Sequence, residues 1–159
     1  MARRIDPRFF NSLIDAHVLN RTNGPEDVPV DEILRLAEAG KITLLLPYSV
    51  KSEIEHPNTP ADVKDRAAGL LFTEPVSLTS GEIEFHQKVR SILQGAAKPG
   101  KHDRDAFHVV ESAKYGGYFI TRDRRILNKA SEITNILEVA IVTPADFVSL
   151  YRSFEKNGV

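Results

Sequence analysis

Four acidic side chains in this sequence have types and positions that favour binding of a divalent metal ion. They are Asp15, Glu53, Asp105 and Asp123. Four carboxylates in one place repel each other, and they do not all ionise unless a cation compensates their charge. Mg²⁺ or Mn²⁺ prefers oxygen ligands and keeps several waters, which leaves coordination positions for phosphate oxygens. One such ion lowers the pKa of a bound water, and a second, roughly 4 Å away, would steady a leaving oxygen.

A parallel sheet is the element that would bring these acids together. Four apolar runs are typical of buried strands, at 9–14, 41–46, 118–121 and 138–142. Strands that alternate with helical segments predict a mostly parallel central sheet with helices on both faces, which is a three-layer α/β/α fold. Ligands bind at the carboxyl ends of such strands. Asp15 and Asp123, which follow two of the runs, are therefore expected at one edge of the sheet.

Capping residues and apolar spacing predict helices between the strands. Asp31 is expected to cap a helix that ends at Gly40. Thr79 and Glu82 form a capping box, and Thr143 is expected to cap the last helix. Further helices are predicted after Pro47 as far as Glu55, over 62–72 and from Asp105 to Gly116, with loops at 20–29, 57–62 and 95–104 and an extended piece at 75–78.

The composition is ordinary for a globular protein, with 159 residues, 42% hydrophobic and 27% charged. No repeat or linker divides the sequence, so residues 1–159 are expected to form a single domain. Cysteine is absent, which excludes disulfides and Cys-based zinc sites. The first residues do not read as a signal peptide, and the apolar runs are too short to cross a bilayer. We therefore expect a cytoplasmic protein with no membrane segment.

Three segments of the sequence resemble a PIN-domain ribonuclease. They are IDAHVLN at 14–20, LPYSVKSEIEH at 46–56 and DAFHVVESAKYGGYFITRD at 105–123. In that family an acid follows the first strand, and a second lies in a helix after the second strand. A third acid begins a later helix, and a fourth follows a strand that ends in Thr-x-Asp. Asp15, Glu53, Asp105 and Asp123 match these positions in order, and the resemblance covers about residues 9–150.

The resemblance implies a PIN-like fold and an Mg²⁺- or Mn²⁺-dependent endoribonuclease that leaves a 5′-phosphate and a 3′-hydroxyl. It makes all four acids both catalytic and metal-binding. Many members of this size resemble VapC-type toxins, so a homodimer and a small antitoxin protein are expected partners beside RNA. Ala16 stands where the family often has a hydroxyl residue, and Arg125 stands where many members have a further acid. Three alternatives therefore remain open. The site holds one metal or two, its glutamate is Glu53 or Glu55, and its third acid is Asp105 or Asp103.

Cationic residues near the third and fourth acids are predicted to bind substrate phosphates in a salt-dependent, sequence-independent way. Arg122, Arg124 and Arg125 are the main candidates, and the others are Lys98, Lys101, His102, Arg104 and Lys129. The net charge of −1 does not by itself indicate a basic face. His108 lies in an apolar helix and is expected to be structural, whereas the sequence does not decide a role for His17.

Other kinds of protein fit parts of the same pattern. A non-catalytic PIN-like module that binds RNA or a protein would explain Arg125 in place of an acid. A structure-specific or DNA-directed nuclease would use the same four acids. A receiver-like signalling domain fits poorly, because it would carry paired acids after the first strand, where this sequence has Ile14-Asp15-Ala16.

Overall fold

The strands of this protein form one parallel sheet. The computed structural model describes residues 5–75, 77–98, 100 and 102–157. The strands are β1 (Ser12–Ile14), β2 (Leu44–Leu46), β3 (Leu71–Phe72), β4 (Tyr118–Ile120) and β5 (Ala140–Val142). They are ordered β3-β2-β1-β4-β5, and each of the four pairings is parallel. The predicted mostly parallel sheet is therefore confirmed.

Helices connect the strands along the described part of the chain. They are α1 (Asp27–Glu38), α2 (Lys51–Glu55), α3 (Ala61–Ala67), α4 (Ser80–Gln94), α5 (Asp103–Tyr115), α6 (Arg124–Asn128), α7 (Ala130–Thr134) and α8 (Pro144–Asn157), with 3₁₀ helices at Ala16–Leu19 and Tyr48–Val50. The capping box of Thr79 and Glu82 is present. The Thr143 hydroxyl accepts from the Asp146 amide at 3.1 Å, as expected for the cap of α8. None of the described helices combines the length and the apolar character that crossing a bilayer requires.

Side chains that alternate along the strands bury two separate apolar layers. Leu13 of β1 and Phe119 of β4 pack with α4, α5, α6 and α7 on one face of the sheet. Ile14 and Ile120, the next residues, pack with α1, α2, α3 and α8 on the other face. Because successive strand residues point to opposite faces, both faces are covered, which gives the predicted α/β/α layering.

Several predicted element starts were displaced: the strands expected from 41 and 138 begin at Leu44 and Ala140, and the helix expected from Asp105 begins at Asp103. At two further starts, local hydrogen bonds close turns. The strand expected over 9–14 begins only at Ser12, and Phe9 and Phe10 are exposed in a turn. Helix α1 begins at Asp27 and not after Asp31, since the Asp27 carboxylate accepts the backbone amides of residues 22 and 23 at 2.9 Å. Asp31 instead lies inside α1 and pairs with Arg66 at 2.5 Å.

The region between the second and third predicted strands also differs. The helix expected over 62–72 ends at Ala67, and Leu71–Phe72 forms the edge strand β3 beside β2. A short apolar run does not distinguish a helix end from a strand. The described residues of 75–78 belong to no strand, and Val76 lies outside them. Helices α6 and α7 occupy 124–134, for which the sequence predicted no element.

The register of β1 against β4 determines where the acids lie. Ile14 pairs with Ile120, so Asp15 and Thr121 follow adjacent strands at the same carboxyl edge. Gly116 ends α5 next to β1, and a Cβ atom there would lie 2.6 Å from the Asn11 carbonyl oxygen. The absence of a side chain thus lets the start of β4 approach β1. This edge of the sheet carries the candidate site.

Candidate active site

Asp15 is buried at the carboxyl end of β1, with 4% of its surface exposed. Its backbone amide donates to the Ile120 carbonyl at 2.9 Å. Its Oδ2 accepts a 2.9 Å hydrogen bond from the Thr121 hydroxyl. The same hydroxyl oxygen accepts from the Asp123 amide at 3.0 Å. Thr121 therefore links the first predicted acid to the fourth, although 108 positions separate them in the chain.

The charge of Asp15 is disfavoured by its surroundings. Burial raises the pKa of this carboxyl, while the Thr121 hydrogen bond and the neighbouring His17 and His108 lower it. The negative charge of Asp105 raises the pKa of Asp15 further. The first and third acids therefore influence each other electrostatically. A cation bound between them would favour both ionised carboxylates.

Glu53 projects from the short helix α2 toward α5. Its Oε1 lies 3.5 Å from His108 Nε2 and 3.2 Å from Arg104 Nη1. The hydrogen bond from His108, the largest effect, and the neighbouring Arg104 hold the pKa of Glu53 below its usual range. Glu55, the alternative residue, is exposed and pairs with Lys51 at 3.9 Å. Of the two glutamates, Glu53 is the one that lies beside the other site residues.

Asp105 lies in the first turn of α5 and faces the start of α6. Its Oδ2 is 3.6 Å from Arg125 Nη1 and 3.7 Å from His102 Nδ1. Asp103, the alternative, approaches Arg90 of α4 at 3.7 Å. Asp105 also lines the first groove and raises the pKa of Asp15, whereas Asp103 does not line that groove.

Asp123 caps α6 at the carboxyl end of β4. Its Oδ1 accepts the Arg125 backbone amide at 2.9 Å, which leaves its other carboxylate oxygen outside the cap. The backbone of α6 therefore holds the Asp123 carboxylate in place. Together with the Thr121 link, this position puts Asp123 at the same sheet edge as Asp15.

Two grooves open at this edge. The first has a volume of about 750 Å³, and Glu53, Arg104 and Asp105 line it together with Ala16 and His17. The second has a volume of about 870 Å³, and Arg122 and Arg124 line it. His17 and Asn20 line both. The two grooves therefore adjoin each other at His17 and Asn20.

The four acids do not form a preorganised metal-binding site. Within the ranges that the structure describes, no group of three or more His, Asp or Glu side chains is placed to hold a metal ion. Arg104 and Arg125 are instead the cations beside Glu53 and Asp105. The side chains of these two arginines are 70% and 46% exposed, so both can swing into solvent. The four candidate residues themselves offer carboxylate oxygens, which are the ligands that a hard divalent cation prefers.

The three arginines predicted to bind phosphate have different surroundings. Arg122 Nη2 donates to the carbonyl oxygens of His17, Val18 and Asn20 at 3.1, 2.7 and 2.9 Å. Arg122 thus fastens the 3₁₀ helix that follows Asp15. Arg125 contacts Asp105, whereas Arg124 is exposed at the second groove. Among the lesser candidates, Arg104 pairs with Glu53, Lys129 pairs with Glu132, and Lys101 lies outside the described residues.

Replacing Arg122 is expected to destabilise the fold, and replacing Arg124 is not. Arg122→Ala removes three hydrogen bonds from a charged donor and should lower the free energy of unfolding by about 2 kcal/mol. Arg124→Ala is the matched control and should change it by less than about 0.5 kcal/mol. Urea unfolding of both variants measures the difference. Equal effects would contradict the anchoring role of Arg122.

The sequence pattern predicted no role for Thr121, Ser49 or Glu111. Thr121 was treated only as the end of a strand. On α5, however, Asp105, His108 and Glu111 follow each other at intervals of three, beside the apolar residues Ala106, Val109 and Val110. Residues three apart share a helix face. This polar stripe was the available signal that the buried side of α5 carries more than a core.

Comparison of the chain with models of known protein families, with curated proteins and with solved structures finds no match. The class of protein therefore follows from the geometry: a three-layer α/β/α protein with a parallel sheet. It carries an acidic site and two open grooves at the carboxyl edge of that sheet.

Proposed function

We propose that this protein is a PIN-like, Mg²⁺- or Mn²⁺-dependent ribonuclease that hydrolyses RNA phosphodiesters. The observation that carries the proposal is the placement of acids distant in sequence at one edge of the sheet: Asp105 perturbs the pKa of the buried Asp15, and the Thr121 hydroxyl bonds both the Asp15 carboxylate and the backbone amide of Asp123. Glu53 reaches the same groove as Asp105. A buried aspartate with a neighbouring acid has no evident structural benefit, since burial of like charges lowers stability.

Each residue has a distinct part in the proposed reaction. Asp15, Glu53, Asp105 and Asp123 would hold the metal, which supplies a water of lowered pKa when bound. Thr121 orients the Asp15 carboxylate through its hydrogen bond. Arg124 is exposed beside the second groove and is suited to bind a phosphate of the substrate. RNA as the substrate rests on the resemblance of the three sequence segments to PIN domains.

The proposed partners of the enzyme are a second copy of the chain and a small antitoxin. Ile83 and Phe85 in the first half of α4 are large apolar side chains that remain exposed in the single chain. Exposed apolar groups of this kind support a protein partner when they lie together.

A second candidate function is a PIN-like module that binds RNA or a protein without cutting. The favouring observation is that Arg104 and Arg125 already neutralise Glu53 and Asp105. A pure binder of this type needs no metal at its acids. Calorimetric titration with Mn²⁺ separates the two functions, because only the nuclease should take up the ion at the site.

Cleavage assays on a panel of substrates test the proposed function. We expect the protein with Mn²⁺ or Mg²⁺ to cleave single-stranded RNA, and excess EDTA to abolish the cleavage. Duplex DNA and flap DNA of matched length should remain intact. Cleavage of the DNA substrates alone would replace the ribonuclease with a DNA-directed or structure-specific nuclease. Full activity in EDTA would exclude the metal mechanism.

A further inference from the structure

A chain of four polar side chains runs from the buried interior of α5 to Glu53. Glu111 is 1% exposed, and its Oε1 accepts from the Ser49 hydroxyl at 2.5 Å and from the Ser49 amide at 3.2 Å. The Ser49 oxygen lies 2.6 Å from His108 Nδ1. His108 Nε2 then faces Glu53 Oε1 at 3.5 Å. Each link joins two different elements, the 3₁₀ helix or α2 on one side and α5 on the other.

The direction of the hydrogen bonds follows from the donors present. Ser49 has one hydroxyl proton, and the carboxylate of Glu111 is its acceptor. The Ser49 oxygen can then only accept from the imidazole, so His108 Nδ1 carries a proton, and a hydrogen bond from Nε2 to the Glu53 carboxylate requires a proton on Nε2 as well. This arrangement fixes the plane of the ring and keeps Nε2 directed at Glu53. The Ser112 hydroxyl donates to the His108 carbonyl oxygen at 2.7 Å and takes no part in this chain.

Glu111 is an unusual residue to bury for stability alone. Its second oxygen, Oε2, is buried without a hydrogen-bond partner among the described residues. A buried polar atom without a partner costs stability, so its presence in a native structure calls for a role other than stabilisation. Burial also raises the pKa of Glu111. Among the residues that the structure describes, the hydrogen bonds of its carboxylate are both with Ser49, and so its effect on the groove passes through the imidazole of His108.

We infer that Ser49 and Glu111 are positioning residues that hold the His108 imidazole and thereby place Glu53 in the candidate active site. The inference deepens the proposed function, and its catalytic consequence rests on that function. Neither residue lines the groove, so neither is expected to touch substrate. Removal of a residue that orients a metal-binding side chain typically lowers activity or metal affinity 10- to 100-fold.

Ser49→Ala tests the inference by breaking the chain at its centre. Ser112→Ala is the matched control, because it removes a hydroxyl hydrogen-bonded to the His108 backbone and leaves the ring untouched. Ser49→Thr keeps a hydroxyl at this position and should therefore cleave RNA as the wild type does. In Ser49→Ala we expect kcat for RNA cleavage to fall about 10- to 100-fold with KM changed less than about threefold. Ser112→Ala and Ser49→Thr should stay within about threefold of wild type in both constants.

NMR provides readouts that do not depend on catalysis. The imidazole ¹⁵N signals of His108 should show a proton on Nδ1 in the wild type. In Ser49→Ala, these ¹⁵N signals and the ¹³C signal of the Glu53 carboxyl should both shift. Neither set should shift in Ser112→Ala. Unchanged signals in Ser49→Ala overturn the inference, as does an unchanged kcat in an active enzyme. If the wild type cleaves no RNA, the proposed function fails, and the NMR signals still decide whether Ser49 positions His108 and Glu53.

Discussion

Asp15→Asn is expected to reduce RNA cleavage by at least about 100-fold while the protein stays folded. The substitution keeps the shape of the side chain and an acceptor for the Thr121 hydroxyl, but it removes the buried charge at the centre of the site. A loss of this size corresponds to about 2.7 kcal/mol of transition-state stabilisation. Initial rates with single-stranded RNA and saturating Mn²⁺ measure the effect. Asp65→Asn, an exposed aspartate of α3 outside both grooves, is the matched control and should cleave normally.

The stability of Asp15→Asn separates a catalytic role from a folding defect. Because burial raises the pKa of Asp15, the folded chain keeps this proton at pH values where the unfolded chain has released it. The wild type therefore loses stability as the pH rises from the unfolded pKa through the raised folded pKa, and it does not regain that stability at neutral pH. Asparagine has no such charge to bury. In EDTA at pH 7 we expect the variant to unfold at an equal or higher urea concentration than the wild type. An inactive variant that unfolds much earlier would contradict a specific catalytic role.

Divalent metal is expected to raise the melting temperature of the wild type and not that of Asp15→Asn. A ligand present at about one hundred times its dissociation constant stabilises the folded state by about 2.7 kcal/mol. For a chain of this length, that corresponds to about 5–10 °C in melting temperature. The physical reason is that Mn²⁺ relieves the repulsion between Asp15 and Asp105, which the unfolded chain does not experience. Differential scanning fluorimetry with and without MnCl₂ measures the shift.

The controls for this experiment identify where the metal binds. Asp105→Asn should abolish the Mn²⁺ response, as Asp15→Asn does, while Asp65→Asn should respond as the wild type does. NaCl at equal ionic strength shows how much of the effect is general screening. A full shift in both site variants would mean that the ion binds elsewhere, and the acidic site would then lose its proposed cofactor.

The layers of the fold could be predicted because their determinants are local. The apolar runs at 41–46 and 118–121 contain strands β2 and β4, and helical spacing in α4, α5 and α8 is visible in short windows. The capping box at Thr79 depends on two side chains three residues apart. Each of these signals lies within a few residues of the element it determines. Strand and helix alternation then leaves few arrangements other than a parallel sheet.

The errors occurred where two local preferences were in competition. Leu71–Phe72 could have continued α3 as well as formed a strand, and pairing with β2 decided for the strand. The start of α1 was displaced because the Asp27 carboxylate binds backbone amides that the sequence pattern does not single out. Helices α6 and α7 are five residues each, too short to produce a clear periodic signal.

The sequence by itself determined which acids follow the strands, and the order of those acids carried the resemblance to PIN domains. Only the tertiary structure decided what surrounds them: that Thr121 joins Asp15 to Asp123, that Arg122 fastens a turn, and that Glu111 reaches Glu53 through Ser49 and His108. The physical reason is the distance along the chain between the residues that interact. Strand ends are set by neighbouring residues, whereas burial, pKa and hydrogen-bond partners depend on side chains about 50 to 100 positions apart that meet only when the sheet and its helices pack.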